Sequence, residues 1–264
     1  MVPAPVGLQC TGCVEEARKE FRRGPGRPLR GGLSATKVLL VAILGMFAVE
    51  VIVGGPQALI DGPNLQQLID LGALQPLLIA NGQFWRLLSA MFLHAGLLHI
   101  AFNAYALYLF GSMIDTNLGR TRFVLIYFVT GLLASATSYA FGDVLVTGVG
   151  ASGAIFGIFG AFIAYNYRRR HLAMAAANLR WAATLLVLNA FIALGFARID
   201  WQAHVGGLVA GIAAGVVAEG WGSASQRRVI LVAGFAAMVG LGIAIVVWRT
   251  NEIRGLPVFQ QFFG

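Results

Sequence analysis

This sequence is short of charge. Only 11% of its 264 residues are Asp, Glu, Lys or Arg, against about 25% in a soluble domain. With 58% hydrophobic residues and a mean hydropathy of +0.76, that scarcity excludes a water-soluble globule and indicates a polytopic membrane protein. Cysteine is nearly absent too. Cys10 and Cys13 form one Cys-x-x-Cys, but a structural zinc site needs four ligands and no nearby His or Cys supplies the rest. Three readings of the pair stay open: reduced thiols, half of a zinc site completed elsewhere, and a redox pair. The first 36 residues lack the apolar core of a signal peptide and are rich in Gly, Pro and Arg, so Gly24–Ser34 reads as a flexible cytoplasmic linker. No internal repeat is visible, which removes support for an inverted-repeat transporter.

What the chain has is apolar length. A spanning helix needs about 20 mostly apolar residues. Seven such segments are predicted, at about 37–54, 97–114, 121–142, 151–167, 180–197, 203–220 and 229–248. The third and seventh are clear; the fourth and sixth are Gly/Ala-rich and less hydrophobic. The membrane domain is expected over 37–250, between a tail of residues 1–36 and an external tail of 251–264.

The net charge of +8 follows from topology. One side holds Arg18, Lys19, Arg22, Arg23, Arg27, Arg30, Lys37, Arg120, Arg122, Arg168, Arg169, Arg170, Arg180, Arg227 and Arg228; the other holds Arg86, Arg198, Arg249 and Arg254. Positive charge collects on the cytoplasmic side, so the N-terminus is expected inside and, after seven crossings, the C-terminus outside. The arginine clusters therefore give no reason to expect nucleic-acid binding.

Two polar residues stand out inside the apolar stretches. Ser152 lies in Gly150-Ala151-Ser152-Gly153, and His204 in Ala203-His204-Val205-Gly206-Gly207. The second, fourth and sixth spans all run inward, which puts Ser152 and His204 at the start of their helices and near the same, outer, face. Gly153, Gly157 and Ala161 on one helix and Gly207, Gly211 and Gly215 on the other form stripes at i, i+4. Small residues at that spacing let membrane helices approach closely. Taken alone the stripes are a packing motif, but they begin within a turn of Ser152 and His204. A serine hydroxyl attacks only when a base takes its proton, and His204 is the natural base. An oxyanion needs donors. His99 and Asn103, four apart on one face of the second span, are candidates, as are the N–H groups at the start of the fourth span. No carboxylate is well placed as a third member; Asp200 is expected as a loop or helix-start residue.

These residues, in this order, resemble the rhomboid intramembrane serine proteases. The resemblance rests on His94-x4-His99-x3-Asn103, Gly150-x-Ser152-Gly153 and Ala203-His204-x2-Gly207-x3-Gly211. Trp85-Arg86 is similar to the family's Trp-Arg pair in the first external loop. Gly111-x3-Asp115 is similar to a Gly-x3-Glu, with Asp for Glu. The match covers about 38–220, and the extra helix at 229–248 resembles the six-plus-one variant. The resemblance implies an all-α rhomboid-like bundle of six core transmembrane helices plus one C-terminal helix. It implies that Ser152 is the nucleophile and His204 the base, a dyad needing no cofactor or metal. It implies an oxyanion hole of His99, Asn103 and the Ser152 amide, with Phe156 packing on His204 and Gly150 allowing close backbone approach. Residues 55–96 would be a membrane-embedded external loop. The implied partners are the bilayer and the transmembrane segments of substrate proteins, cut near their outer ends at helix-weakening sequences with a small residue before the cut. The implied location is the cell membrane, as in a bacterial inner membrane. Some bacterial members carry a cysteine-rich zinc module, and Gln9-Cys10-x2-Cys13 looks like its last ligand pair.

Plainer roles are expected elsewhere. His94 should stabilise the loop by hydrogen bonding. Glu50 should sit at the interface, with packing against the loop as its other reading. Asn189 should bond between helices, and Tyr105, Tyr108, Trp181, Trp201 and Trp248 should face lipid or the interface. Two other functions compete with the protease. A small-solute transporter would spread ionisable groups through the bilayer depth, whereas here they gather in the outer third. A catalytically inactive rhomboid-like binder would lack the serine or the histidine, and both are present.

Overall fold

In the computed structural model, residues 2–3, 8–10, 34–195 and 199–264 are described. Residues 1–34 and 35–264 form two separate units. In the first, β1 (Val2–Pro3) pairs antiparallel with β2 (Leu8–Gln9), and Cys10 is exposed. Cys13, most of the expected linker, and Arg198 in the second unit lie outside the described residues.

The second unit is a helical bundle. Its principal helices are α1 (Ala35–Gly54), α2 (Leu97–Leu118), α3 (Arg120–Phe141), α4 (Ser152–Arg168), α5 (Ala173–Gly195), α6 (Trp201–Glu219) and α7 (Ala224–Arg254). Six of these are long and apolar enough to cross a membrane, and the chain is a multi-pass membrane protein. The exception is α4, with 17 residues. It is the central helix, packed by α2, α3, α5 and α6, so lipid contact does not set its length. α5 begins at Ala173 rather than 180, and α7 runs from Ala224 to Arg254 rather than 229–248. Ser223 and Gln226 form a capping box at the start of α7, which satisfies end N–H groups and lets the helix start early.

Helices in lipid gain little from burying apolar surface, so close packing of small residues must hold them. A β-carbon on Gly207 would strike the Gly153 carbonyl, one on Gly211 the Gly157 peptide, and one on Gly215 would lie 2.8 Å from Ala161 Cα. The α4–α6 stripes are thus in register along their length. Gly157 and Gly206 accommodate Thr130 and Thr137 of α3, which closes a three-helix centre.

Between α1 and α2 lie four short helices, Ala58–Asp61, Leu65–Leu71, Pro76–Ala80 and Arg86–Ser89. Buried Arg86 ties the last of them to the end of the second. Its Nη1 donates to the Ile69 and Ala73 carbonyls at 2.6 and 3.1 Å and its Nε to Gln83 at 2.7 Å, while the guanidinium lies 4.7 Å over the Trp85 ring. Burial lowers its pKa from the usual arginine value, and nearby Asp70 opposes that shift. A two-way backbone bridge, 2.9 Å each way, joins Leu74 to Gly148 in the α3–α4 loop.

The bundle is also pinned at its ends. At one end Asp115 accepts the Thr36 backbone N–H at 3.2 Å, which ties the end of α2 to the start of α1. A π-helical turn, Leu107–Gly111, precedes Asp115 and rotates that face of α2 relative to the face carrying Asn103. On the same side Glu219 pairs with Arg168 at 2.9 Å and with Arg169. At the other end Arg249 donates to the Tyr139 and Gly142 carbonyls and Arg254 to the Ala80 carbonyl at 2.8 Å. Residues 251–264, expected as an external tail, instead finish α7 and form a helix, Pro257–Phe263, whose Phe259 is buried with Leu74, Leu77 and Ile79. Asn189 is exposed and donates to Leu185 on its own helix at 2.9 Å, not across helices. The five aromatics expected at lipid or the interface, Trp181 among them, are all exposed.

Candidate active site

Ser152 opens α4, and His204 lies in the first turn of α6. Asp200 caps α6 by accepting the Ala203 N–H at 2.9 Å and the hydroxyl of Ser138 on α3. Asp200 is therefore a helix-start residue, as its position in the sequence suggests. With α4 and α6 in register, His204 Nε2 comes 2.9 Å from Ser152 Oγ. Phe156, one turn after Ser152, stacks on the imidazole with ring centroids 4.3 Å apart and planes 14° from parallel. The stack limits rotation of the ring and shields one of its faces.

Gly150 adopts φ +130°, which side-chain-bearing residues rarely take, and its N–H donates to the Ala90 carbonyl at 2.9 Å. The point where a β-carbon would sit lies 2.9 Å from His99 Nε2 and 3.6 Å from Ser152 Oγ. Glycine therefore keeps open a small space bounded by a ring nitrogen and the serine oxygen. The Ala95 N–H donates to His99 Nδ1 at 3.2 Å. A backbone N–H can only donate, so Nδ1 is the acceptor and the neutral ring carries its proton on Nε2, beside that space. Asn103, one turn further along α2, is buried, and among the described residues its Nδ2 has no hydrogen-bond partner.

Of the residues singled out in the sequence, Ser152, His204, Phe156, Gly150 and His99 converge, and Asn103 adjoins His99 on the same helix face. His94 does not join them. Its Nδ1–H donates to the Phe92 carbonyl at 3.2 Å, and its ring sets edge-on to His99, 5.2 Å between centroids. Burial, with nearby His99 adding to it and the Phe92 bond opposing it, lowers its pKa to about 3. Glu50 corrects an expectation. It is fully buried, and both its oxygens accept the His94 backbone N–H, at 2.9 and 3.2 Å. A carboxylate in a span is costly unless bonded, and that cost was the signal for a buried partner.

The arrangement can deprotonate a serine and can donate hydrogen bonds to an oxygen beside it. The family profile of the rhomboid domain matches residues 81–220, which hold Ser152, His204, His99 and Asn103. This chain belongs to the rhomboid family. Rhomboid protease GluP of Bacillus subtilis (strain 168) is 32% identical over 197 residues, 74% of this chain and 37% of that protein. Putative rhomboid protease YdcA of the same organism is 34% identical over 133 residues, 50% of this chain and 66% of that protein. RHOMBOID-like protein 5 of Arabidopsis thaliana is 33% identical over 189 residues, 68% and 57% respectively. This rhomboid chain thus matches between 37% and 66% of these relatives' lengths.

Proposed function

We propose that this rhomboid is an intramembrane serine endopeptidase that hydrolyses peptide bonds in or near transmembrane segments of other membrane proteins. The observation that carries this reading is the 2.9 Å contact between His204 Nε2 and Ser152 Oγ beside an open space at Gly150. His204 takes the hydroxyl proton as Ser152 Oγ bonds to the scissile carbonyl carbon. The carbonyl oxygen, now negative, accepts from His99 Nε2–H, the Asn103 amide and the Ser152 N–H. His204 gives the proton to the leaving amine, which departs and leaves an acyl-serine ester. Water then donates a proton to His204 and its oxygen attacks the ester; the bond to Ser152 Oγ breaks, His204 returns the proton to that oxygen, and the acid is released.

Such a centre draws on no cofactor, and chelators should leave the rate unchanged. The arginine distribution supports a cell-membrane orientation with the N-terminus cytoplasmic and the dyad toward the outer face. The test is cleavage of a single-span substrate by purified protein. Ser152→Ala and His204→Ala should each abolish cleavage, and the double variant should be no worse, because members of one catalytic unit are non-additive. A fluorophosphonate should label the wild type and not Ser152→Ala. Normal cleavage by either single variant would overturn the reading.

A further inference from the structure

Glu50 is the only acidic residue in α1, and it is fully buried. Both its oxygens take the His94 backbone N–H, so it grips the chain just ahead of α2. The next peptide in that chain carries the Ala95 N–H, which donates to His99 Nδ1. The His94 ring, fixed by its bond to the Phe92 carbonyl, abuts the His99 ring. Residues 92–95 therefore strap Glu50 to His99. If the strap slides, Nδ1 loses its donor. The ring is then free to turn or to move its proton, and a lone pair can face the space at Gly150 where a donor is needed.

We propose that Glu50 is a positioning residue for the oxyanion hole: by clamping the His94 N–H it holds the Ala95 N–H on His99 Nδ1 and keeps the His99 Nε2 proton beside Ser152. The proposal rests on the protease reading for its kinetic consequence but not for its geometry. Glu50 touches no substrate. It acts through two consecutive peptides and one imidazole.

The test uses the full chain in detergent, with wild type and Ser152→Ala first establishing that cleavage belongs to the serine. Loss of an oxyanion donor costs about 10²–10³ in rate, and loss of its alignment should cost less. Glu50→Leu should lower kcat about 10- to 100-fold with little change in KM. Glu50→Gln, which keeps an oxygen acceptor, should recover most of that loss. In a His99→Ala background Glu50→Leu should cost nothing further, because its route of action is already gone. ¹⁵N spectra of the imidazoles, with His99 assigned by its absence in His99→Ala, should show a single Nε2–H tautomer in the wild type and a mixture in Glu50→Leu. An equal loss in the His99→Ala background, or an unchanged His99 tautomer in Glu50→Leu, would overturn the proposal and leave Glu50 a packing residue. If Glu50→Leu fails to fold, the Glu50→Gln kinetics and the wild-type and Glu50→Gln spectra decide. An inactive wild type would sink the protease reading, while the tautomer measurement would still judge Glu50.

Discussion

The backbone of Gly211 on α6 lies directly against the Gly157 peptide of α4. A β-carbon at 211 would come within 2.6 Å of the Gly157 carbonyl carbon and 2.7 Å of its Cα. The obstacle is backbone, which cannot rotate out of the way. Gly211→Leu should therefore force the two helices apart and separate His204 from Ser152. Overpacking of this kind costs about 1–3 kcal/mol or more. Thermal unfolding and substrate cleavage should both decline. An active, equally stable Gly211→Leu protein would mean that the seam does not hold the dyad.

His99 and Asn103 should act as separate donors. His99→Ala and Asn103→Ala should each slow cleavage by about 10²–10³ while Ser152 remains able to capture a fluorophosphonate slowly. If the two replacements together leave the rate unchanged, α2 does not supply the oxyanion hole.

Much of this site could be read from the sequence because it is helical. Spacing of four residues places His99 with Asn103 and sets Gly153, Gly157 and Ala161 in one stripe, whatever the rest of the chain does. The order of the spans then puts Ser152 and His204 at one end. What spacing does not carry is contact made by irregular chain. The bond from Glu50 to the His94 N–H depends on how residues 55–96 fold back over α1, and no local pattern encodes that path. The same holds for the C-terminus, where hydropathy marks only the apolar middle of α7 and not the polar turns that extend it to Arg254. Asn189 departs from its sequence expectation for a different reason: in lipid an amide satisfies itself on the carbonyl four residues back as readily as on a neighbour.

The C-terminal segment should prove structural. Phe259 is buried in one cluster with Leu77 and Ile79 from the segment between α1 and α2, and the Arg254 guanidinium donates to the Ala80 carbonyl. Phe259→Ala removes a packed ring, a change that costs about 3–5 kcal/mol in a well-packed core. Arg254→Gln removes one charge-assisted hydrogen bond, about 1.5–3 kcal/mol. Melting temperatures should fall in that order. No change in either variant would show that the segment merely rests on the loop.

His94 should make stability depend on pH. Its folded pKa, about 3, is below the ordinary histidine value of 6.5, so between the two the unfolded chain binds a proton that the folded chain does not. Stability is then full above 6.5 and falls as pH drops toward 3. From pH 6.5 to 5 the His94 contribution to that loss should be about 1.5 kcal/mol. Unfolding midpoints across that window should slope downward in the wild type and be flatter in His94→Leu. Equal slopes would place the titration elsewhere.

The shortness of α4 bears on how fast a bond can be cut. Its 17 residues reach about 25 Å, some 5 Å less than the hydrocarbon thickness of a typical bilayer. If one end of α4 is level with one face, the other end stops about 5 Å short of the opposite face. On the protease reading, with Ser152 at that shorter end, every bond hydrolysed would consume a water molecule that must descend to it from that face. Turnover would then depend on lipid chain length: longer acyl chains would deepen the well above Ser152 and lower the supply of the second substrate, with no change to any residue of the protein.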